Sequence, residues 1–149
     1  MPSFLEDCHA IEQVYIRYCE IIDTKTFDNM TEVFTPDTYG DYSNSLPGVY
    51  VEGLAPLIAS MHHNLGKGSL CGPTHHNVTN FRIKVNGDAA TTKVQYYAVH
   101  LGLGKYEGQI YSMWGQYNDE LVRTAEGWRV KRRVYQSFLT EGPVVTTRD

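Results

Sequence analysis

The chain has 149 residues, of which 42% are hydrophobic and 20% charged, and its formal net charge at pH 7 is -4. This length allows one domain with a substantial core, and the acidic balance argues against a nucleic-acid partner, which favours a basic face. No apolar run reaches the roughly 20 residues that a membrane span needs, and the acidic N-terminus is unlike a signal peptide. We therefore expect one cytoplasmic domain over residues 1–149.

Helical signals dominate the N-terminal half of the chain. Ser3 and Glu6 have the spacing of a capping box, and apolar residues then recur at helical spacing as far as Asp23. Pro36 stops a second, short helical pattern, and a glycine-rich segment after Leu65 is typical of a helix C-terminus. The patterns predict three helices, at residues 4–23, 27–34 and 53–65, and two short strands, at 38–43 and 49–52.

The apolar period changes to two in the C-terminal half, which predicts long strands in hairpin succession. The predicted strands cover residues 78–85, 89–103, 109–124 and 128–139. Helices followed by antiparallel strands indicate an α+β fold. Strands of this length must bend, and a curved sheet wrapped over a helix encloses a concave space that suits a single small-molecule pocket.

Two histidines are predicted to meet at one end of this sheet. Residues 86–88 (Asn-Gly-Asp) form a hairpin turn, so His76 at the start of one strand lies beside His100 at the far end of the next. Tyr96 shares the face of His100 by strand alternation. An alternative remains open, in which each histidine only makes a structural hydrogen bond.

Asp23 is the second candidate for chemistry. It lies where the first helix ends, and the helix dipole disfavours an anion there. One explanation is that the carboxylate holds an imidazole in one tautomer, which would make His76 a competent general base. The other explanation is a local turn in which Asp23 caps the backbone. The residues alone do not decide between them.

Several other chemistries lack a pattern in the sequence. His62 and His63 are adjacent on a helix and point apart, no metal-ligand spacing occurs, and no metal or cofactor is expected. Cys8, Cys19 and Cys71 are odd in number and scattered, which indicates reduced thiols. No glycine-rich nucleotide-binding motif or serine-hydrolase motif is present.

Charged residues of the last two strands are expected to face outward. The basic run mostly alternates outward on a strand and predicts a solvated face or a subunit contact; it comprises Arg129, Lys131, Arg132 and Arg133. An epoxide hydrolase would need an inward Asp-Arg-Asp set, and Asp119 and Glu120 lie near a turn instead. An epoxide hydrolase activity is therefore disfavoured.

Motifs along most of the chain resemble the SnoaL-like domains of the nuclear transport factor 2-like superfamily. The matching segments are residues 17–23, 27–28, 33–37, 74–80 and 127–130. The resemblance implies a cone in which three helices pack against a curved, mixed, mostly antiparallel sheet with a single internal pocket. It also implies a homodimer formed through the exposed face of the sheet.

Within that superfamily the chain is most similar to scytalone dehydratases and bile-acid dehydratase-like proteins. The likeness implies that Asp23 and His76 form a catalytic pair, that His100 is a second catalytic histidine and that Tyr42 is a catalytic tyrosine. It also implies that Tyr18, Tyr96, Trp114 and Asn80 bind substrate. Two positions depart from the scytalone dehydratase pattern: Ile22 replaces a tyrosine, and Trp114 replaces a pocket asparagine.

The implied function is a cofactor-independent lyase or isomerase that works by Asp–His general acid-base catalysis. The expected substrate is a hydrophobic, oxygenated small molecule, such as a polyketide, terpenoid or steroid-like compound. His76 would remove a proton next to a carbonyl, a tyrosine would stabilise the resulting enolate, and protonated His100 would assist a leaving hydroxyl. The alternative is a non-catalytic binding or dimerisation module of the same fold.

Overall fold

The computed structural model describes residues 1–149, with helices gathered in the N-terminal half and long strands in the C-terminal half. Two α-helices, α1 (Phe4–Thr24) and α2 (Leu54–Leu65), are accompanied by 3₁₀ helices at Phe27–Glu32 and Gly104–Tyr106. The six strands are β1 (Phe34–Asp41), β2 (Tyr50–Glu52), β3 (Cys71–Asn86), β4 (Ala89–Gly102), β5 (Ile110–Thr124) and β6 (Gly127–Glu141). None of the helices is long and apolar enough to cross a membrane.

All six strands form one sheet in the order β2-β1-β6-β5-β4-β3. β1 runs parallel to β6, and every other neighbouring pair is antiparallel. This arrangement confirms the predicted α+β class with a mixed, mostly antiparallel sheet. The long hairpins place β3 at one edge, where α1 packs beside it.

Two strands begin earlier than the sequence patterns predict. β3 starts at Cys71 rather than at residue 78. The sequence pattern missed this segment because Gly72 and Pro73 resemble loop residues, although the segment pairs with the far end of β4. β1 starts at Phe34, where a helix was expected to continue. His76 is consequently part of the sheet, opposite Ala98, instead of preceding it.

Helix α1 is fixed to the sheet at its first turn. The predicted capping box forms, with the Ser3 amide donating to the Glu6 carboxylate at 2.7 Å and the Glu6 amide donating to Ser3 Oγ at 3.3 Å. Asp7, in the same turn, accepts hydrogen bonds from Arg123 Nη1 at 2.7 Å and Trp128 Nε1 at 3.1 Å. These contacts join the start of α1 to β5 and β6.

A buried ion pair lies between α1 and the inner face of the sheet, and it corrects the expectation that the basic residues of β6 face outward. Arg133 is 1% exposed, and its Nε and Nη2 donate to Asp119 at 3.0 and 2.9 Å. Tyr15 of α1 also donates to Asp119, at 2.6 Å. Thr92 Oγ1 lies 2.6 Å from the same tyrosine oxygen.

A β-bulge explains why Arg133 points inward. Leu121 pairs with Val130, but the preceding residue, Glu120, pairs with Arg132, so Lys131 is an extra residue in β6. One inserted residue reverses the alternation of all residues beyond it. Val130 and Arg133 are therefore both buried, with two exposed residues between them.

Because of the ion pair, we expect substitutions at two neighbouring positions of β5 to have very different effects on the free energy of unfolding. Asp119→Asn leaves the Arg133 charge buried without its counterion and should lower the free energy of unfolding by about 3–5 kcal/mol. Glu120→Gln is the matched control, because Glu120 is exposed and such changes stay within about 0.5 kcal/mol. Chemical denaturation measures both values, and equal stabilities of the two variants would contradict the structural role of the pair.

Candidate active site

Asp23 accepts three hydrogen bonds from the start of β3. It lies in the last turn of α1, opposite the part of β3 that holds Thr74 and His76. Thr74 Oγ1 donates to Oδ1 at 2.9 Å, the His76 amide donates to Oδ2 at 3.0 Å, and His76 Nδ1 lies 2.8 Å from Oδ1. The carboxylate is therefore fixed by both the backbone and the side chains of one strand.

These contacts also determine the charge of Asp23. Burial tends to raise the pKa of its carboxyl group, but the hydrogen bonds from the His76 ring, the His76 amide and Thr74 outweigh it, so the pKa lies below its usual value. An ionised carboxylate can only accept, so Nδ1 of His76 carries the proton of this hydrogen bond. In the neutral ring, Nε2 is left with a free lone pair and can act as a base.

His100 lies next to this pair, as the hairpin register requires. The rings of His76 and His100 are 5.4 Å apart between centroids and nearly perpendicular, at 86°. His100 is buried, and its Nδ1 donates to the Tyr111 carbonyl at 3.0 Å. Its remaining polar atom is thus Nε2.

The protonation state of His100 follows from its burial. Burial lowers the pKa of His100 to about 4, although the hydrogen bond to Tyr111 works in the opposite direction. The neighbouring His76 adds to the lowering. His100 is therefore neutral at pH 7 in the free protein, and its role as the second catalytic histidine stays a prediction.

Tyr18 and Tyr42 lie in the interior around Arg133. The guanidinium carbon lies 4.8 Å from the centre of the Tyr18 ring, and Tyr42 packs against Tyr135 with ring centroids 5.8 Å apart. Burial raises the pKa of both hydroxyls, and the charge of Arg133 only partly opposes that rise. Both hydroxyls therefore stay protonated and can donate hydrogen bonds.

Tyr96 occupies the inner face of β4 between Val94 and Ala98. Its hydroxyl is hydrogen bonded to that of Tyr135, and its ring stacks on Tyr117 at 4.8 Å. The hydroxyl is thus already partnered within the protein, while the ring forms part of the interior wall.

The structure places Trp114 and Asn80 away from this interior. Trp114 pairs with Tyr97 and stacks on it at 5.1 Å, and strand alternation puts both on the outer face because Tyr96 is inward. Asn80 lies at a bulge of β3 with a φ of 54°, is exposed and donates to outward-facing Gln95 at 2.8 Å. Neither side chain reaches the interior, and their expected role in substrate binding stays a prediction.

A cleft of about 470 Å³ opens between α1 and β3 beside the catalytic candidates. Its lining includes Cys19, Glu20, Asp23, His75 and His76. The cleft opens to the surface, and the single internal pocket inferred from the family resemblance stays a prediction. Asp23 is the more accessible member of the pair, with 22% of its side chain exposed against 8% for His76.

Sequence reasoning missed Arg133 and Asp119 as interior groups. Nη1 of Arg133 has no hydrogen-bond partner although it is buried. The inward direction of Asp119 follows from its alternation with Tyr117, which was a usable signal. The direction of Arg133 depends on the bulge at Lys131, which has no signature in the sequence.

The remaining histidines and cysteines are not gathered into one site. His62 lies 2.9 Å from Asp28 in an exposed pair, and the backbone carbonyl of His63 accepts a hydrogen bond from Arg148. No group of three or more histidine, cysteine or acidic side chains has an arrangement that could hold a metal ion. His75 also lines the cleft, but the hydrogen bonds to Asp23 come from Thr74 and His76.

Comparison with known proteins agrees with this architecture. The SnoaL-like domain model matches residues 3–134. Rv2910c of Mycobacterium tuberculosis is 33% identical over 132 residues, which cover 87% of this chain and 84% of the relative.

Two solved structures have the same fold. Kfla4162 from Kribbella flavida has a TM-score of 0.82 at 25% identity, with 91% of this chain and 93% of that chain covered. A proposed scytalone dehydratase from Novosphingobium aromaticivorans has a TM-score of 0.81 at 22% identity, with coverages of 92% and 87%. At 22% identity, the likeness to this second structure shows a shared fold alone.

The environment of His100 predicts its titration. In a histidine ring NMR titration, its signals should move with a midpoint near pH 4, because burial disfavours the charged ring. Since the pKa of His100 in the folded state is below the ordinary 6.5, the unfolded state binds this proton at a higher pH than the folded state does. The contribution of the neutral His100 ring to the free energy of unfolding is therefore lost as the pH falls from 6.5 towards 4.

His100→Gln identifies the signals and should remove this part of the pH dependence of stability. Asp23 also loses stabilising interactions when it is protonated in acid, so the comparison must be made between the variant and the unmodified protein. A midpoint for His100 at or above pH 6.5 would contradict its burial as described.

Proposed function

This chain belongs to the SnoaL-like domain family, and on that premise we propose that it is a cofactor-independent lyase or isomerase that acts by Asp–His general acid-base catalysis. The observation that carries the proposal is the hydrogen bond between Asp23 and His76, 2.8 Å long and formed by an ionised carboxylate. The proposed substrate is a hydrophobic, oxygenated small molecule of the polyketide, terpenoid or steroid-like kind.

The first step of the proposed reaction is proton transfer to His76. Nε2 takes a proton from a carbon next to a carbonyl group. The electron pair of the broken C–H bond forms a C=C bond, and the π pair of the carbonyl group moves onto its oxygen. Asp23 stabilises the imidazolium that forms, because its carboxylate is already hydrogen bonded to Nδ1. The hydroxyls of Tyr42 and Tyr18 are the proposed donors to the developing enolate oxygen.

The first step is common to several reactions, and the second step determines the product. Return of the proton to another carbon gives a double-bond isomer, and loss of a hydroxyl as water gives a dehydrated product. Attack of the enolate on a carbon elsewhere in the molecule closes a ring. The proposed part of neutral His100 is to receive or relay a proton through Nε2, since Nδ1 is held by Tyr111.

The alternative function is a binding or dimerisation module of the same fold. Such a module does not need a half-buried carboxylate that accepts three hydrogen bonds from a strand carrying a histidine. Polar groups held in this way cost stability when they are desolvated. The arrangement at Asp23 is therefore better explained by catalysis.

We propose in addition that two copies of the chain associate through the outer face of the sheet. Ile110 and Leu139 are 48% and 55% exposed there, beside the stacked rings of Tyr97 and Trp114. Light scattering should give twice the chain mass of 16.9 kDa, and Trp114→Glu should give the single mass. A monomer in the unmodified protein would contradict this proposal.

Substitutions in the pair test the proposed chemistry. Asp23→Asn and His76→Gln should each lower kcat by about 10²–10⁴-fold, because a positioned base contributes that much to proton transfer. The assay uses the compound that accumulates when the gene is deleted, added to purified protein without any cofactor.

Asp28→Asn is the matched control, since Asp28 forms the exposed pair with His62 at 2.9 Å. This variant removes a carboxylate from an Asp–His pair outside the site and should keep full activity. Circular dichroism confirms that each variant is folded. Near-complete turnover by folded Asp23→Asn or His76→Gln would refute the catalytic assignment.

A further inference from the structure

Lys25 connects three elements at the end of the molecule that carries the Asp23–His76 pair. Its ammonium group donates to the carbonyl oxygen of Leu65, the last residue of α2, and to that of Cys71, the first residue of β3, with a distance of 2.9 Å to the second. Its backbone directly follows the last residue of α1. One side chain therefore holds the ends of two helices and the start of one strand together.

These two acceptors suit a charged donor. The Leu65 carbonyl is one of those at the C-terminus of α2 that lack an amide partner within the helix, and a cation is favourable at such an end. Hydrogen bonds from an ammonium group are stronger than bonds between neutral groups. Lys25 is also half-buried, which strengthens the contacts further because less water competes for them.

The backbone of Lys25 adopts a conformation that glycine normally provides. Its φ is 56°, in the left-handed region that the residue after a helix often takes, usually as glycine because a Cβ adds strain. Asn80 is the other non-glycine residue of the chain with a positive φ. Strain of this kind persists where surrounding contacts hold the residue in place, and it clusters at functional sites. The two hydrogen bonds of the ammonium group are such contacts.

Contacts from the end of α1 lie on both sides of a weak point in β3. The pairing of β3 with β4 is irregular between Cys71 and Thr74, and the proline within residues 72–73 has no amide hydrogen to donate to the sheet. Lys25 holds the Cys71 carbonyl before this irregularity, and Asp23 holds the Thr74 hydroxyl after it. The two contacts together fix the start of β3 relative to α1.

The ammonium group of Lys25 also acts electrostatically on His100. Burial is the main cause of the lowered pKa of His100, and Lys25 and His76 act in the same direction. Asp23 and the hydrogen bond to the Tyr111 carbonyl act in the opposite direction. The charge of Lys25 is therefore close enough to both histidines to be detected through them.

We propose that Lys25 is a positioning residue of the active site: its hydrogen bonds to the Leu65 and Cys71 carbonyls set the distance between the end of α1 and the start of β3 at which Asp23 reaches His76. Lys25 acts through the backbone of β3. This inference deepens the proposed function and rests on it only for the effect on turnover.

Amide hydrogen exchange tests the inference without turnover, because the His76 amide donates to Asp23 at 3.0 Å. Lys25→Met removes the charge and the donors and should speed exchange of this amide about tenfold or more, as the weakening of a hydrogen bond to a charged group predicts. Lys25→Arg keeps both and should restore most of the protection. Amides in the middle of β4 report global unfolding and should change less. Unchanged protection of His76 in folded Lys25→Met, or an equal loss in β4, would overturn the inference.

Lys67→Met is the matched control, since Lys67 is exposed two residues beyond the end of α2. It removes a charge near the same helix end and should leave exchange of the His76 amide unchanged. In the histidine ring titration, the midpoint of His100 should rise in Lys25→Met, because a nearby positive charge is removed, and should stay near pH 4 in Lys67→Met. Equal effects of the two lysine variants would overturn the inference.

Turnover separates this inference from the proposed function. With Asp–His catalysis, Lys25→Met should lower kcat about 10–10²-fold with little change in KM, because a misplaced base transfers protons more slowly, and Lys25→Arg should recover most of the loss. A raised KM with unchanged kcat would contradict a positioning role. Full activity of Asp23→Asn would refute the proposed function, whereas exchange of the His76 amide would still test Lys25.

If Lys25→Met does not fold, NMR of the Lys25 ammonium group in the unmodified protein gives the answer. Its protons should exchange slowly with water and show couplings to the carbonyl carbons of Leu65 and Cys71, because both carbonyls accept hydrogen bonds from it. The ammonium group of exposed Lys67 is the reference for fast exchange. Exchange of the Lys25 protons as fast as that of Lys67 would overturn the inference.

Discussion

A single carboxylate joins the end of α1 to the edge of the sheet. Asp23 accepts three hydrogen bonds from Thr74 and His76, and these fix the helix end against β3. The same bonds keep the carboxylate ionised and orient the His76 ring. Fold and chemistry therefore depend on one contact: without it, the ring would lose both its orientation and the negative charge that supports it as a base.

Polar groups of α1 follow one another along the face that meets the sheet. Tyr15 holds Asp119, Tyr18 lies over Arg133, and Asp23 holds His76. The helix thus presents donors and acceptors to two different parts of the sheet. Several tyrosines contribute to this interior, where their rings fill space while the hydroxyls of Tyr96 and Tyr135 bind each other and that of Tyr15 binds Asp119.

The hairpin architecture and the meeting of His76 with His100 could be predicted because they follow from alternation and one turn. The inward direction of Arg133 could not, because it depends on the single inserted residue Lys131 in β6. The neutral state of His100 also required the structure, since burial and not sequence spacing sets it. Trp114 was assigned to the substrate site by family resemblance, and the structure places it beside Tyr97 on the outer face, as strand alternation indicates.

The tautomer of His76 is the quantity that tests the account most directly, and it can be measured without a substrate. Nitrogen NMR of selectively labelled protein distinguishes the two neutral forms of the ring. The hydrogen bond to Asp23 predicts that the proton resides on Nδ1. It also predicts that Asp23→Asn disturbs this preference while Asp28→Asn does not. A neutral His76 ring with its proton on Nε2 in the unmodified protein would contradict its role as the base.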